Sequence, residues 1–149
     1  ELMNLYIGRI NQTQVRIEFL LANFAKDLDL VSEYSEYMSI ISFKQKIDEI
    51  KKEMKSRGNG KINKRVIDWL NLLDNLRIRR NELIHSLLLN NSEYNEEFLI
   101  QNWRKSKDGL KKYSKTLMIG TISYLDIEYI ELHNYGFNLF KEYISSNNN

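Results

Sequence analysis

The side chains in the sequence best suited to chemistry are Arg80, Asn81 and His85, in the run Arg80-Asn81-Glu82-Leu83-Ile84-His85. An imidazole titrates near neutral pH, so His85 has the intrinsic acidity for general acid–base proton transfer. A guanidinium is a permanent cation whose planar fork fits phosphate oxygens. The Asn81 amide can orient His85 or donate to the same phosphate. Arg77 and Arg79, just upstream, either widen a basic surface for a phosphate backbone or face water on a solvated helix side.

These residues need a rigid carrier, and hydrophobic periodicity supplies one. The third and clearest predicted helix starts with Asn63 as N-cap and ends near Leu89. At about 100° per residue, Trp69, Leu73, Leu76, Ile84 and Leu87 share one side, flanked by Val66 and Leu83. Arg80 falls inside that apolar stripe, where a leucine is expected. A buried, unpaired guanidinium is strongly unfavourable. Arg80 therefore faces a cleft, snorkels, or pairs with Asp74 or a distant glutamate. Asn81 and His85, four residues apart, lie on adjacent turns of one face at the stripe's edge. Arg80 and His85 are roughly 140° apart on the wheel. Either the arginine bends to reach a shared spot or a second chain completes the site, so a homodimer formed partly by this helix is expected.

The remaining elements read as follows. A first helix runs from about Leu5 to Asp27, with Ile10, Ile17, Leu20, Leu21 and Phe24 as its stripe, and 28–36 is a loop. A second helix runs from about Glu36 to Lys55 and stops at Ser56-Arg57-Gly58-Asn59-Gly60. Residues 90–126 read as irregular or as a short β-hairpin. A last helix spans about Leu125 to Ile144, with Ile130, His133, Phe137 and Phe140 on its apolar side. The tail 145–149 should fray. The expected fold is all-α, a helical bundle of four or more helices in a single domain, 1–149.

Bulk properties narrow the function. With 149 residues the chain can build one core,. The absence of cysteine excludes disulfide and zinc-thiolate sites and fits a reducing, cytoplasmic setting,. The absence of proline permits long unbroken helices,. No apolar run approaches a membrane span and no signal peptide opens the chain, so no membrane partner is expected. A net charge of +2 neither demands nor excludes nucleic acid,.

The run Arg80 to His85 resembles the R-x4-H signature of the HEPN superfamily, in the form with Asn after the Arg. The preceding Ile67-Asp68-Trp69-Leu70-Asn71-Leu72-Leu73 resembles the apolar helix leading into that motif, and the helix order is similar. The resemblance implies a helical bundle, usually a homodimer with both motifs facing one cleft. It also implies a metal-independent endoribonuclease of toxin–antitoxin or anti-phage systems, acting through Arg80, Asn81 and His85 and controlled by a cognate antitoxin or defence partner. Other members are non-catalytic and bind nucleotides or partner proteins. Members paired with a nucleotidyltransferase antitoxin often carry Tyr two residues after the His. Here that position is Leu87, so control through such a Tyr is not expected.

RNA brings its own nucleophile, the 2′-OH, so no metal and no cofactor are expected. Asp27 with Asp29, and Glu96 with Glu97, read as loop or solvated acids. Lys105, Lys107, Lys111 and Lys112 near Trp103 and Tyr113 form a basic, aromatic stretch that either touches nucleic acid or is solvated. Lys51, Lys52 and Lys55 read as solvent-facing. His133 reads as a core or interface histidine. Tyr34, Tyr37, Tyr124 and Tyr129 read as packing at element edges.

Overall fold

A computed structural model describes residues 2–90, 100–101, 112–113 and 115–147. Within these, the side chains of 34, 39–40, 85–90, 100–101, 112–113 and 115–119 lie outside the description. The chain is all-α. Five helices, α1 (Leu2–Asp27), α2 (Tyr34–Ile40), α3 (Phe43–Ser56), α4 (Lys61–Asn90) and α5 (Lys115–Asn147), are joined by one two-residue antiparallel pairing, β1 (Ile100–Gln101) with β2 (Lys112–Tyr113).

Helix α1 starts at Leu2, before the expected Leu5, and α5 runs to Asn147, into the tail 145–149 expected to fray. Three further differences from the sequence reading have local causes. The expected single helix over 36–55 is two helices, because Ser42 caps α3. Its hydroxyl accepts from the Gln45 backbone N–H at 3.2 Å, and the Gln45 side chain accepts from the Ser42 N–H at 3.0 Å,. Asn63 is not an N-cap, since α4 begins at Lys61. The Asn63 amide is buried and donates to the Arg57 and Gly58 carbonyls, each at 3.2 Å, tying α4 to the end of α3. The last helix begins ten residues earlier than expected, at Lys115 instead of Leu125. Burial of Ile122 and Leu125 against the core outweighs the β-branched Thr116, Ile119, Thr121 and Ile122 that suggested strand,.

Helix α1 ends in a Schellman turn. The Leu30 N–H reaches the Ala25 carbonyl at 2.9 Å and the Asp29 N–H reaches that of Lys26 at 3.0 Å, with Asp29 in the left-handed region usually held by glycine,. At the end of α3, Gly58 has φ 105°, a value that does require glycine,. The stop at 56–60 is therefore where the sequence placed it.

Helices α1 and α5 form the most extensive pair, followed by α4 with α5 and α3 with α4. Matching contacts fix the directions. Phe24 stacks on Phe140 with ring centroids 3.9 Å apart, and Gln14 meets Tyr129, so α1 and α5 run parallel. Arg65 meets Glu142 while Arg79 meets Glu128, so α4 runs antiparallel to α5. The core is built from Ile10, Ile17, Leu21 and Phe24 of α1, Ile47, Ile50 and Met54 of α3, Val66, Trp69, Leu73 and Leu76 of α4, and Ile122, Tyr129, Leu139 and Phe140 of α5. Trp69 is its keystone. Its indole N–H donates to the Leu132 carbonyl at 2.9 Å, its ring meets Phe140 edge-on, and a Cβ at Gly136 would sit 2.3 Å from it.

The stripe expected for α5 is rotated. Phe137 is 45% exposed, with Lys141 over its ring, and Ile130 and His133 are only half-buried. His133 lies 3.3 Å from Asn134 of its own helix and is not a core residue. Tyr37 and Tyr129, expected at edges, are fully buried, while Tyr124 is exposed. Among the described residues, no helix is long and apolar enough to cross a membrane.

Candidate functional site

Helix α3 enters beside α1 where Lys46 meets Glu18 and leaves where Arg57 donates to the Leu28 carbonyl. Its fourteen residues therefore line α1 only from about Glu18 onward. Arg80 lies beyond that boundary, level with Asn11 on α1. There its long side chain crosses from α4 to α1.

The guanidinium of Arg80 is half-buried and touches two amide oxygens. One terminal nitrogen donates to Asn11 Oδ1 at 2.7 Å and the other to Asn81 Oδ1 at 3.1 Å. Its Nε is buried and has no hydrogen-bond partner among the described residues. Among the described residues no ion pair includes Arg80. Asp74, which the sequence offered as a partner for it, pairs instead with Arg77 at 2.9 Å. Among the described residues Arg80 is thus held from two sides by neutral amide oxygens and by no carboxylate.

The other arginines of the run are arranged differently. Arg77 is held by Asp74 within α4, and Arg79 makes a two-pronged contact with Glu128 of α5. Each carries a carboxylate that opposes its use on RNA phosphate. All three arginines act on Tyr129. Burial pushes its phenol well above the ordinary tyrosine value, and the charges of Arg80, Arg77 and Arg79 pull it part of the way back,. The phenol stays protonated and donates to Gln14 Oε1 at 3.1 Å, a second bond to α1 next to the Asn11–Arg80 contact.

Asp126, one turn before Tyr129 on α5, is buried. Its Oδ2 pairs with Arg9 of α1 at 3.1 Å, and its Oδ1 has no partner. Two unpartnered buried polar atoms thus occur in the same stretch of the bundle, Arg80 Nε on α4 and Asp126 Oδ1 on α5. Buried polar groups are nearly always satisfied by protein, water or ligand.

Helix α4 continues through His85 to Asn90, so Asn81 and His85 keep the i, i+4 relation read from the sequence,. The His85 side chain lies outside the described residues, as do those of Leu87, Trp103 and Lys105 to Tyr113. Among the described residues no group of three or more His, Asp or Glu side chains is arranged to hold a metal ion.

The sequence reading missed Asn11, Gln14 and Asp126, and read Tyr129 as packing at an element edge. No local pattern marks them, since Asn11 lies 69 residues from Arg80 and Gln14 lies 115 from Tyr129. A signal did exist in α1, where Asn11 and Gln14 follow the apolar positions by one and four residues and so belong at the rim of its stripe.

On the far side of α4, the seam with α5 holds two grooves. The larger, about 540 Å³, is lined by Trp69, Leu72, Leu132 and Tyr135 with Arg65 and Arg79 at its polar edge. The smaller, about 210 Å³, lies between Leu83, Tyr124 and Leu125. Arg79 and Glu128 line both, so their ion pair separates the two. No family model, no curated protein and no solved structure matches the chain.

Proposed function

We propose that the chain is a metal-independent endoribonuclease of the HEPN type, working as a toxin or anti-phage effector. Arg80 holds the scissile phosphate, His85 transfers the proton and Asn81 orients the pair. The observation that carries this reading is the state of Arg80. A half-buried guanidinium, gripped by two neutral oxygens and paired with no carboxylate among the described residues, sits in the same helix as a histidine five residues on. Such a cation retains its full attraction for a phosphate, and its immobilisation lowers the cost of binding one.

In the reaction, the RNA 2′-oxygen attacks the adjacent phosphorus. The 2′-hydroxyl proton goes to a base, the bond from phosphorus to the 5′-oxygen breaks, and the departing oxygen takes a proton. The products are a 2′,3′-cyclic phosphate and a free 5′-hydroxyl. The imidazole of His85 serves proton transfer, and the Arg80 charge stabilises the extra negative charge on phosphorus in the transition state. A homodimer bringing two α4 helices together would place two such motifs on one RNA.

The test is cleavage of RNA by the wild type and by His85→Ala, both in EDTA. Wild-type cleavage leaving cyclic phosphate ends, with a loss of ~10²- to 10⁴-fold in the variant, is expected. Cleavage that needs added magnesium, or that survives in His85→Ala, rejects the mechanism. Light scattering reports the dimer.

A second reading is a non-catalytic module that binds a nucleotide or a partner protein. It is favoured by the 540 Å³ groove, where Trp69, Leu72 and Tyr135 beside Asp68, Glu131 and the ion-paired Arg65 and Arg79 offer a surface for the aromatic ring of a small ligand,. Calorimetry with nucleotides, on the wild type and on Leu72→Lys, separates it from the first.

A further inference from the structure

We infer that Asn11, on α1, is a positioning residue for the Arg80 phosphate contact, and that its being an amide and not a carboxylate is what leaves that contact usable. The inference rests on the reading of Arg80 as the phosphate-binding group, and it extends the site to a helix 69 residues away in sequence.

Asn11 Oδ1 accepts the shortest hydrogen bond Arg80 makes, at 2.7 Å, from outside α4. Asn81, the other acceptor, is the adjacent residue of the same helix, so it moves with Arg80 and cannot fix the arginine relative to the bundle. Among the described residues, Asn11 alone does that. It reaches Arg80 across from α1 to α4, on the N-terminal side of the Glu18–Lys46 contact that ties α3 to α1. The second α1 bond, Gln14 to the Tyr129 phenol, holds this stretch of α1 against α5 one turn along. Asn11 itself is exposed, so the bond it accepts lies at the surface, where an incoming oxyanion would arrive.

The chemistry of the acceptor matters as much as its place. An amide oxygen satisfies an N–H while carrying no net charge. A carboxylate would satisfy the same N–H and cancel the cation. The molecule uses the second solution at Arg77 and Arg79 and the first at Arg80. Each terminal nitrogen of Arg80 carries a second N–H besides the one given to Asn81 or Asn11, so donors remain for an oxyanion,.

The test uses Asn11→Asp, Asn11→Leu and, as a control on the exposed face of α1, Gln12→Ala. Three quantities are measured on the full chain: thermal stability, binding of pyrophosphate by calorimetry, and RNA cleavage. Asn11→Asp keeps the acceptor in place and adds a charge. It should melt at or above the wild-type temperature yet bind pyrophosphate about tenfold more weakly, by analogy with hydrogen bonds to charged groups. A purely structural role would not separate the two readouts in this way. Asn11→Leu should lose a similar amount of binding, and Gln12→Ala none.

Wild-type affinity and cleavage in Asn11→Asp overturn the inference while leaving the nuclease reading intact. Arg80- and Asn11-dependent pyrophosphate binding without any RNA cleavage supports the inference and rejects the nuclease reading. Absence of pyrophosphate binding in the wild type overturns the inference outright.

Discussion

Two cations in this molecule, Lys46 and Arg80, face α1 from neighbouring helices and are handled in opposite ways. The Lys46 ammonium is buried, sits 3.1 Å from the Glu18 carboxylate and donates to the Ile41 carbonyl at 2.6 Å. It is neutralised, and it also satisfies a backbone oxygen where the chain breaks between α2 and α3. Arg80 is half-buried and, among the described residues, touches amides only and leaves one nitrogen unpartnered. A cation matched to a carboxylate serves the fold, whereas one anchored by neutral oxygens keeps its field for a ligand. Arg77 and Arg79, each with its own acid, fall on the Lys46 side of that division.

The contrast breaks most visibly at Lys46. Lys46→Met removes one half of a largely buried ion pair and should destabilise the protein by about 3–5 kcal/mol in urea titration. Adding Glu18→Leu should recover much of that loss, because the stranded carboxylate disappears with its partner. If the single and double variants were equally unstable, Lys46 would be acting through packing alone.

A packing lesion that touches neither cation sharpens the comparison next. Gly136→Ala places a methyl group against the Trp69 ring and should cost about 1–3 kcal/mol, since the ring is locked by its bond to Leu132 and by Phe140,. The protein that remains folded should still bind pyrophosphate through Arg80. Loss of that binding at temperatures where the variant is folded would mean that the site depends on the whole α4–α5 seam.

Arg80→Met should cost less than about 1.5 kcal/mol, because the amides it leaves behind reach water and no carboxylate is stranded. Chemical denaturation beside Lys46→Met measures the difference directly. A cost matching that of Lys46→Met would move Arg80 into the structural class.

The smallest effect concerns the phenol that the arginines surround. Tyr129 is raised by burial and lowered only in part by Arg80, Arg77 and Arg79, and Tyr37 is raised by burial and by the Glu49 charge. A folded-state value above the unfolded one favours the neutral phenol. The stability it provides is complete below about pH 10, the unfolded value, and is lost as the pH rises beyond it. Denaturation midpoints between pH 9 and 11 should fall, and Tyr129→Phe should flatten part of that fall. An unchanged slope would show that Tyr129 ionises in the fold as it does in water.

Much of α4 was legible in the sequence because one element carries the whole pattern. Its stripe from Val66 to Leu83 is buried as the periodicity predicts, and the glycines at 58 and 60 end one helix and start the next. The break at Ser42 was also written locally, as Ser42-Phe43-Lys44-Gln45. The apolar spacing of Ile40, Phe43 and Ile47 continues across it and hid it. The early start of α5 could not be read, because its β-branched residues favour strand until Ile122 and Leu125 find the core. At the site, the arginine and asparagine were legible as a motif, but their setting was not. Whether Arg80 meets an acid or an amide is decided on α1, and whether Asp74 is available to it is decided by Arg77 one turn earlier.

The parallel pairing of α1 with α5 has a consequence for how the protein is made. Phe24 and Phe140, stacked in the finished core, leave the ribosome 116 residues apart. At about 5–20 residues per second, Ile10, Ile17 and Phe24 wait some 6–23 s for the helix that covers them. Asn11 and Arg80 can meet earlier, but the Tyr129 and Gln14 bond that steadies α1 there forms only after most of α5 has been synthesised. Nascent chains therefore carry the arginine and histidine of α4 for several seconds on an unfinished bundle. The activity proposed here would switch on only after α5 has been synthesised and has closed on α1.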